Sequence, residues 1–194
     1  MENAIELALR TWYEKDHPLH SDPLHPALGL AGEAGELLDL YKKERFKDGV
    51  SWWDCTKCGQ SRKQHRVIYE DEPGAKGWYI NNCYTPKILD ELGDLWFYLR
   101  ILAYQQGYNL EEGHNIPEQD LLDALIELNW HAATLLRIIE VETDSHLAAI
   151  INCFVCLRVI LNNLNFTLDQ VTESNWAKLK DGDNHGWLTA RKSP

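Results

Sequence analysis

The fold is decided by residues 26–43, PALGLAGEAGELLDLYKK. Their apolar residues recur at helical spacing, so we expect an amphipathic helix from Ala27 to about Phe46. Glu33 and Glu36, three residues apart, share one flank of this helix. Small residues at positions 29, 32 and 35 would let a neighbouring backbone approach closely. The stripe that we expect to be buried consists of Leu28, Ala31, Gly35, Leu38 and Tyr41.

A second acidic pair, Glu91 and Asp94, lies in the segment ILDELGDLWFYL. Apolar spacing predicts a helix from about Pro86 to Gln106 that stops at Gly107. Four carboxylates on two facing antiparallel helices suit a hard cation such as Mg²⁺ or Mn²⁺. One pair alone would be read as a solvated helix face. Two pairs within apolar helices favour a cation site, because a divalent ion removes the repulsion between clustered carboxylates.

Length and composition predict one globular domain spanning residues 1–194. The chain is 44% hydrophobic and 25% charged, with 30 acidic and 19 basic residues and a formal net charge of −11. This charge argues against a nucleic-acid-binding surface. We recognise neither a signal peptide nor an 18-residue apolar stretch, so we expect a cytoplasmic protein without a membrane partner.

The remaining segments complete an all-α, antiparallel helical bundle. Further helices are expected at residues 2–16, 117–142, 146–163 and 167–180, with a proline-rich loop at residues 17–26 and an irregular tail. Cys153 and Cys156 lie in the most apolar of these helices, where small core residues are expected.

Residues 46–85 form an insert of different character. Its alternating apolar residues predict a short two-stranded hairpin across residues 73–77. The run Cys55-Thr-Lys-Cys58-Gly resembles a zinc knuckle, in which two thiolates on a tight turn reach one ion. Cys83 and His65 would complete a structural zinc site. Free thiols are the alternative.

An internal repeat emerges when the two halves of the chain are superimposed with offsets of 58 and 98 residues. In this alignment, the four positions of the second half that correspond to the four acids carry no carboxylate. The repeat therefore predicts one acidic metal site per chain. These positions are His131, Thr134, Ala149 and Asn152. A duplicated chain could form a complete bundle as a monomeric pseudo-dimer, whereas an unduplicated one would need a homodimer or a larger assembly. Any two leucine-rich amphipathic helices could also align in this way.

The segments GLAGEAGELLDLYKK and ILDELGDLWFYL together resemble the E-x-x-E … E-x-x-D signature of the all-α nucleoside triphosphate pyrophosphohydrolases. This superfamily includes MazG-like enzymes, dimeric dUTPases and phosphoribosyl-ATP pyrophosphohydrolases. The resemblance implies hydrolysis of a nucleoside triphosphate, between its α and β phosphates, to a monophosphate and pyrophosphate. It also implies that Glu33, Glu36, Glu91 and Asp94 are the catalytic Mg²⁺ ligands.

Near the C-terminus, Asn175 and Lys178 resemble the asparagine and lysine that contact substrate in this superfamily. The arginine and tyrosine that usually follow them are replaced by DGDNHGW. Further candidates for phosphate binding are therefore Lys42 and Lys43, with Arg62, Lys63 and Arg191 as alternatives. Two non-enzymatic interpretations stay open. The chain could be a catalytically degenerate nucleotide sensor, or a helical scaffold that presents a zinc knuckle to a protein partner.

Overall fold

The computed structural model describes residue 12 and residues 21–46, 52–56, 59–60, 85–110, 114–139 and 145–180. Within these ranges it contains five α-helices and no strand, which confirms the all-α class. The helices are α1 (Leu24–Phe46), α2 (Lys87–Gln105), α3 (Leu121–Ile138), α4 (Ser145–Leu164) and α5 (Leu168–Lys180). The expected helix at residues 2–16, the hairpin across residues 73–77 and the tail lie outside the described residues, apart from Trp12.

Helices α1 and α2 pack against each other in antiparallel orientation. Gly29, near the start of α1, faces Tyr98 in the second half of α2. A Cβ atom on Gly29 would lie 2.4 Å from Cζ of Tyr98, whereas Cβ atoms on Gly32 and Gly35 would meet nothing within 4 Å. The close neighbour of Gly29 is therefore a side-chain ring and not the backbone that we expected, and the other two glycines have no close neighbour.

The first four helices form a closed ring in which α1 contacts α2 and α3, and α4 also contacts α2 and α3. Nδ2 of Asn129 on α3 donates a hydrogen bond to the backbone oxygen of Ala34 on α1, at 2.9 Å. The rings of Trp96 on α2 and Phe154 on α4 lie 5.5 Å apart and fill the centre of the core. Helix α5 packs along α2, outside the ring.

Helix α1 begins three residues before the expected position. Oδ1 of Asp22 accepts a hydrogen bond from the backbone N–H of Leu24, at 2.9 Å. Pro26 lies in the first turn, where a helix needs no N–H donor from it. The proline-rich segment therefore contributes the start of the helix, and the prediction of a loop to residue 26 was wrong at its end.

The buried face of α1 was also misassigned. The predicted stripe is rotated relative to the true one, and Leu28 is 54% exposed. Two sets of residues in this helix satisfy helical spacing, and the choice between them depends on where α2 and α3 dock. The fully buried residues are Ala27, Leu30, Ala34 and Leu37.

Local capping sets the limits of the later helices. Helix α3 begins at Leu121, later than expected, because the side chain of Asp120 accepts a hydrogen bond from the N–H of Leu122. Thr167 and Gln170 bond reciprocally to each other's backbone N–H groups, a capping box that starts α5 as expected. At the end of α2, Gly107 adopts a φ of +66°, a conformation that terminates the helix.

Helix α4 is long and apolar enough to cross a membrane, with a mean hydropathy of 1.9 over its most apolar window. This corrects the expectation that no 18-residue apolar stretch exists. Half of that window is buried inside the bundle, and the core helix of a globular protein has the same composition. Cys153 and Cys156 are buried on this helix, as expected for core residues. Burial raises the pKa of Cys156 to about 12 and that of Cys153 higher still.

Candidate metal centre

Three of the four predicted acids converge between α1 and α2. Glu33 and Glu36 lie one turn apart on α1 and face Glu91, which lies in the second turn of α2. Each of the three carboxylates offers an oxygen within 4.8 Å of the others. Glu36 is exposed, whereas Glu33 and Glu91 are partly buried, so the cluster opens to solvent on the side of Glu36.

Burial and nearby negative charges disfavour the ionised forms of two of these carboxyl groups. Burial, together with the negative charges of Asp94 and Glu91, raises the pKa of Glu33 to about 9. Burial and the charge of Glu36 raise the pKa of Glu91 to about 7. The side chains of Glu33 and Glu91 also share a hydrogen bond, which raises the pKa of Glu33 and lowers that of Glu91, and this bond needs a proton on one of the two carboxyl groups. A divalent cation would replace this shared proton, and an all-oxygen ligand set fits Mg²⁺ or Mn²⁺.

The fourth predicted acid, Asp94, is held by α5. Its Oδ1 accepts a hydrogen bond from Nδ2 of Asn175 at 2.9 Å, and its Oδ2 forms an ion pair with Lys178. Asp94 is near enough to raise the pKa of Glu33 and of Glu91, so it borders the cluster of three. The sequence motif thus divides into three converging carboxylates and a fourth that links them to α5.

Asn175 and Lys178, predicted to contact substrate, are largely buried at the interface between α2 and α5. Asn175 is 2% exposed, and the Lys178 side chain is 11% exposed. The Lys178 ammonium also pairs with Asp90, at 3.1 Å, and the two carboxylates raise the pKa of Lys178 above its ordinary value despite its burial. Both side chains therefore orient Asp94.

Close packing between α2 and α5 supports this network. A Cβ atom on Gly93 would lie 3.0 Å from Cβ of Asn175, so glycine is needed for the two helices to approach. One turn further along, Nε1 of Trp96 donates a hydrogen bond to Oγ1 of Thr172, at 3.1 Å. The Arg100 guanidinium lies over the Trp96 ring, 5.2 Å from its centroid.

Lys42 and Lys43 both form ion pairs with Asp39 on the same helix. These two lysines lower the pKa of Asp39 to about 2. Asp39 in turn raises the pKa of Lys43, with smaller contributions from Glu36 and Glu91. The Lys43 ammonium therefore interacts with the acidic cluster as well as with Asp39.

Lys42 lines an open groove of about 550 Å³ between the second half of α1 and the first turn of α3. Arg45 and Asp39 contribute the other charges of this groove, and the remaining lining is mostly apolar. Its volume suits a small molecule. None of the four predicted acids lines the groove.

The structure describes one of the four predicted zinc ligands. Cys55 is fully buried, and its backbone oxygen accepts a hydrogen bond from the N–H of Gly59, at 2.9 Å. Gly59 has a φ of +68°, so this glycine permits a tight turn as expected of a knuckle. The other three predicted ligands, Cys58, His65 and Cys83, lie outside the described residues.

Sequence reasoning missed one charged residue of this region. Asp90 lies one turn before Asp94 on α2 and shares the Lys178 ammonium with it. The signal was present in the sequence, since residues 90, 91 and 94 are all acidic and Asp90 and Asp94 share a helix face.

Comparison of the chain with models of known protein families, with curated proteins and with solved structures gives no match.

Proposed function

We propose that this chain is a nucleoside or deoxynucleoside triphosphate pyrophosphohydrolase that depends on Mg²⁺ or Mn²⁺. The convergence of Glu33, Glu36 and Glu91 is the observation that carries this proposal. Burial and the neighbouring carboxylates raise the pKa values of Glu33 and Glu91, and the cluster opens to solvent at Glu36, where a charged substrate could enter. The resemblance of the two acidic motifs supplies the reaction class.

In the proposed reaction, water attacks the α phosphorus and the bond from that phosphorus to the oxygen bridging to the β phosphorus breaks. Pyrophosphate leaves, and the attacking water gives its proton to solvent or to a carboxylate. A bound Mg²⁺ would neutralise part of the negative charge of the substrate. Glu33, Glu36 and Glu91 would hold the cation, and Asp94 would complete the acidic wall.

The positive charges near the cluster have distinct proposed roles. Lys43, at the rim, would attract the triphosphate, because its ammonium lies near Glu36 and remains 37% exposed. Lys178 and Asn175 would keep Asp94 in place from within the interface of α2 and α5.

The same proposal includes a MazG-like bundle formed by duplication. Helices α1 and α2 would correspond to α3 and α4, and the contacts of α1 with α3 and of α2 with α4 support such a pairing. A duplicated chain would act as a cytoplasmic monomer. The cysteine-bearing insert, which connects the end of α1 to the start of α2, would border the site and select the base.

The test is incubation of the purified protein with a panel of nucleoside and deoxynucleoside triphosphates, with Mg²⁺ or Mn²⁺ and in ¹⁸O-labelled water. We expect pyrophosphate and the matching monophosphate, with ¹⁸O in the monophosphate, because the attack is at the α phosphorus. Excess EDTA should abolish the reaction.

Glu36→Gln is the most informative variant, because this exposed residue can be changed without disturbing the core. We expect kcat/KM to fall by about 100-fold or more, as for the loss of other preorganised charged groups. Glu173→Gln, at an exposed position on α5, is the matched control and should retain activity. Absence of pyrophosphate release from every nucleotide, or full activity in Glu36→Gln, would refute the proposal.

A further inference from the structure

A second cluster of metal-binding side chains lies between α3 and α4, away from the acidic cluster between α1 and α2. Glu127 and His131 are one turn apart on α3, and Cys156 faces them from α4. One ligand atom from each residue lies within 4.8 Å of the corresponding atoms of the other two. The fold thus brings together a carboxylate, an imidazole and a thiol from two helices.

The burial of these groups suits a metal site. Cys156 is 3% exposed, His131 is partly buried and Glu127 is exposed. The thiol and imidazole would thus hold the ion from inside the bundle, while Glu127 marks a path to solvent. The neighbouring Trp130 ring packs edge-on against His131, with ring centroids 4.8 Å apart, and restricts the orientation of the imidazole.

We propose that Glu127, His131 and Cys156 form a second metal site, which binds Zn²⁺ between α3 and α4. Sulfur, nitrogen and one oxygen are the ligand set of borderline-soft transition metals, whereas Mg²⁺ requires oxygen ligands. Three protein ligands leave a fourth tetrahedral position for water. On binding, the thiol loses its proton to solvent as the sulfur–zinc bond forms.

This proposal changes two expectations drawn from the sequence. The second half of the chain was expected to lack a metal site, and Cys156 was expected to serve packing alone. His131 stands where the 98-residue offset places the counterpart of Glu33. The pair of helices α3 and α4 would therefore carry a site of different chemistry, which joins one helix to the other. The proposal of this zinc site does not depend on whether the acidic cluster hydrolyses nucleotides.

Titration of the purified chain with Co²⁺ tests the site, with excess Mg²⁺ present to occupy the acidic cluster. Thiolate ligation gives a sulfur-to-cobalt charge-transfer band in the near ultraviolet. Because Cys55 and Cys58 could also contribute such a band, the measured quantity is the difference between the wild type and Cys156→Ser. We expect this difference to show one thiolate, and the wild type to bind one more equivalent of Zn²⁺ per chain than the variant.

Cys153→Ser is the matched control, since this cysteine is also buried on α4 but belongs to neither metal cluster among the described residues. Its cobalt spectrum should equal that of the wild type. The proposal would be overturned if wild type and Cys156→Ser gave equal cobalt spectra. It would also be overturned if both serine variants lost the charge-transfer band to the same extent.

Two further variants keep the test valid if Cys156→Ser does not fold. Glu127→Gln and His131→Ala change exposed or partly buried groups and leave the apolar core intact. Each should weaken Zn²⁺ binding by at least about tenfold and reduce the rise in melting temperature that Zn²⁺ causes in the wild type. Unchanged Zn²⁺ affinity in both variants would overturn the proposal.

Discussion

Replacement of Glu33 by glutamine tests the electrostatic account of the acidic cluster without reference to catalysis. Glutamine has nearly the same size, and its amide can donate a hydrogen bond to Glu91 as the protonated carboxyl does. We expect Glu33→Gln to stabilise the metal-free protein at pH 8, although it removes a residue of the proposed active site.

The sign follows from the raised pKa. Folded Glu33, with a pKa of about 9, holds a proton that the unfolded chain, with a value of 4.5, has released. The native state therefore binds more protons between these two values, and the stability from this group is lost as the pH rises through that range. Glutamine does not titrate and so avoids this loss. The gain in free energy of unfolding of Glu33→Gln over the wild type should therefore be near zero at pH 4.5 and should grow towards pH 8.

The magnitude follows from the same values. One pKa unit corresponds to about 1.4 kcal/mol, so unscreened interactions would give about 5 kcal/mol at pH 8. Glu33 is only partly buried, and screening by solvent reduces the expected gain to about 1–2 kcal/mol. For a domain of this size each kcal/mol raises the melting temperature by about 2–4 °C.

Urea unfolding in EDTA, followed by circular dichroism at pH 5, 6.5 and 8, measures the gain directly. Glu173→Gln removes the same charge at an exposed position of α5 and should show no pH-dependent gain. If Glu33→Gln were less stable than the wild type at pH 8, or gained equally at pH 5 and pH 8, the account of a proton shared within the cluster would be wrong.

Three further predictions follow from the packing and charges of the bundle. Gly29→Ala should lower the free energy of unfolding by about 1–3 kcal/mol because its Cβ would collide with Tyr98. Gly35→Ala, whose Cβ meets nothing, should raise the free energy of unfolding by about 0.5–1 kcal/mol. Urea unfolding of both variants measures the contrast, and equal effects would contradict it. Lys178→Met should cost about 2–4 kcal/mol by leaving the partly buried carboxylates of Asp90 and Asp94 without their cation. Asp94→Asn in the same chain should recover part of the loss in a double-mutant cycle, and strictly additive effects would exclude the coupling. Mg²⁺ should raise the melting temperature more at pH 8 than at pH 6, because protons compete for the acidic cluster at the lower pH. Calorimetry should show proton release on binding. A larger rise in melting temperature at pH 6 would contradict this prediction.

Much of the candidate site could be predicted from the sequence because its residues are close along helices. The spacing of Glu33 and Glu36 places both carboxylates on one flank of α1, whatever packs against it. Similar spacing placed Glu91 and Asp94 together on α2. Whether Glu91 faces both α1 acids depends in addition on the register and rotation of the two helices, which the tertiary structure supplies.

The rotation of α1 could not be predicted in the same way. Two sets of residues in α1 form equally good stripes at helical spacing. One is the buried set that begins with Ala27 and Leu30, and the other is the expected set that begins with Leu28 and Ala31. The choice depends on the directions from which α2 and α3 approach, which is a property of the whole bundle.

The sequence by itself determined the helical class, the approximate helix positions and the two acidic pairs, because each depends on interactions within a few residues of the chain. Only the tertiary structure decided that Asp94 pairs with Lys178, 84 residues away, and that three of the four acids converge. It also decided that Cys156 meets Glu127 and His131, which belong to another helix. Such contacts depend on the angles and depths at which helices pack, and those are set by the side chains of the entire core.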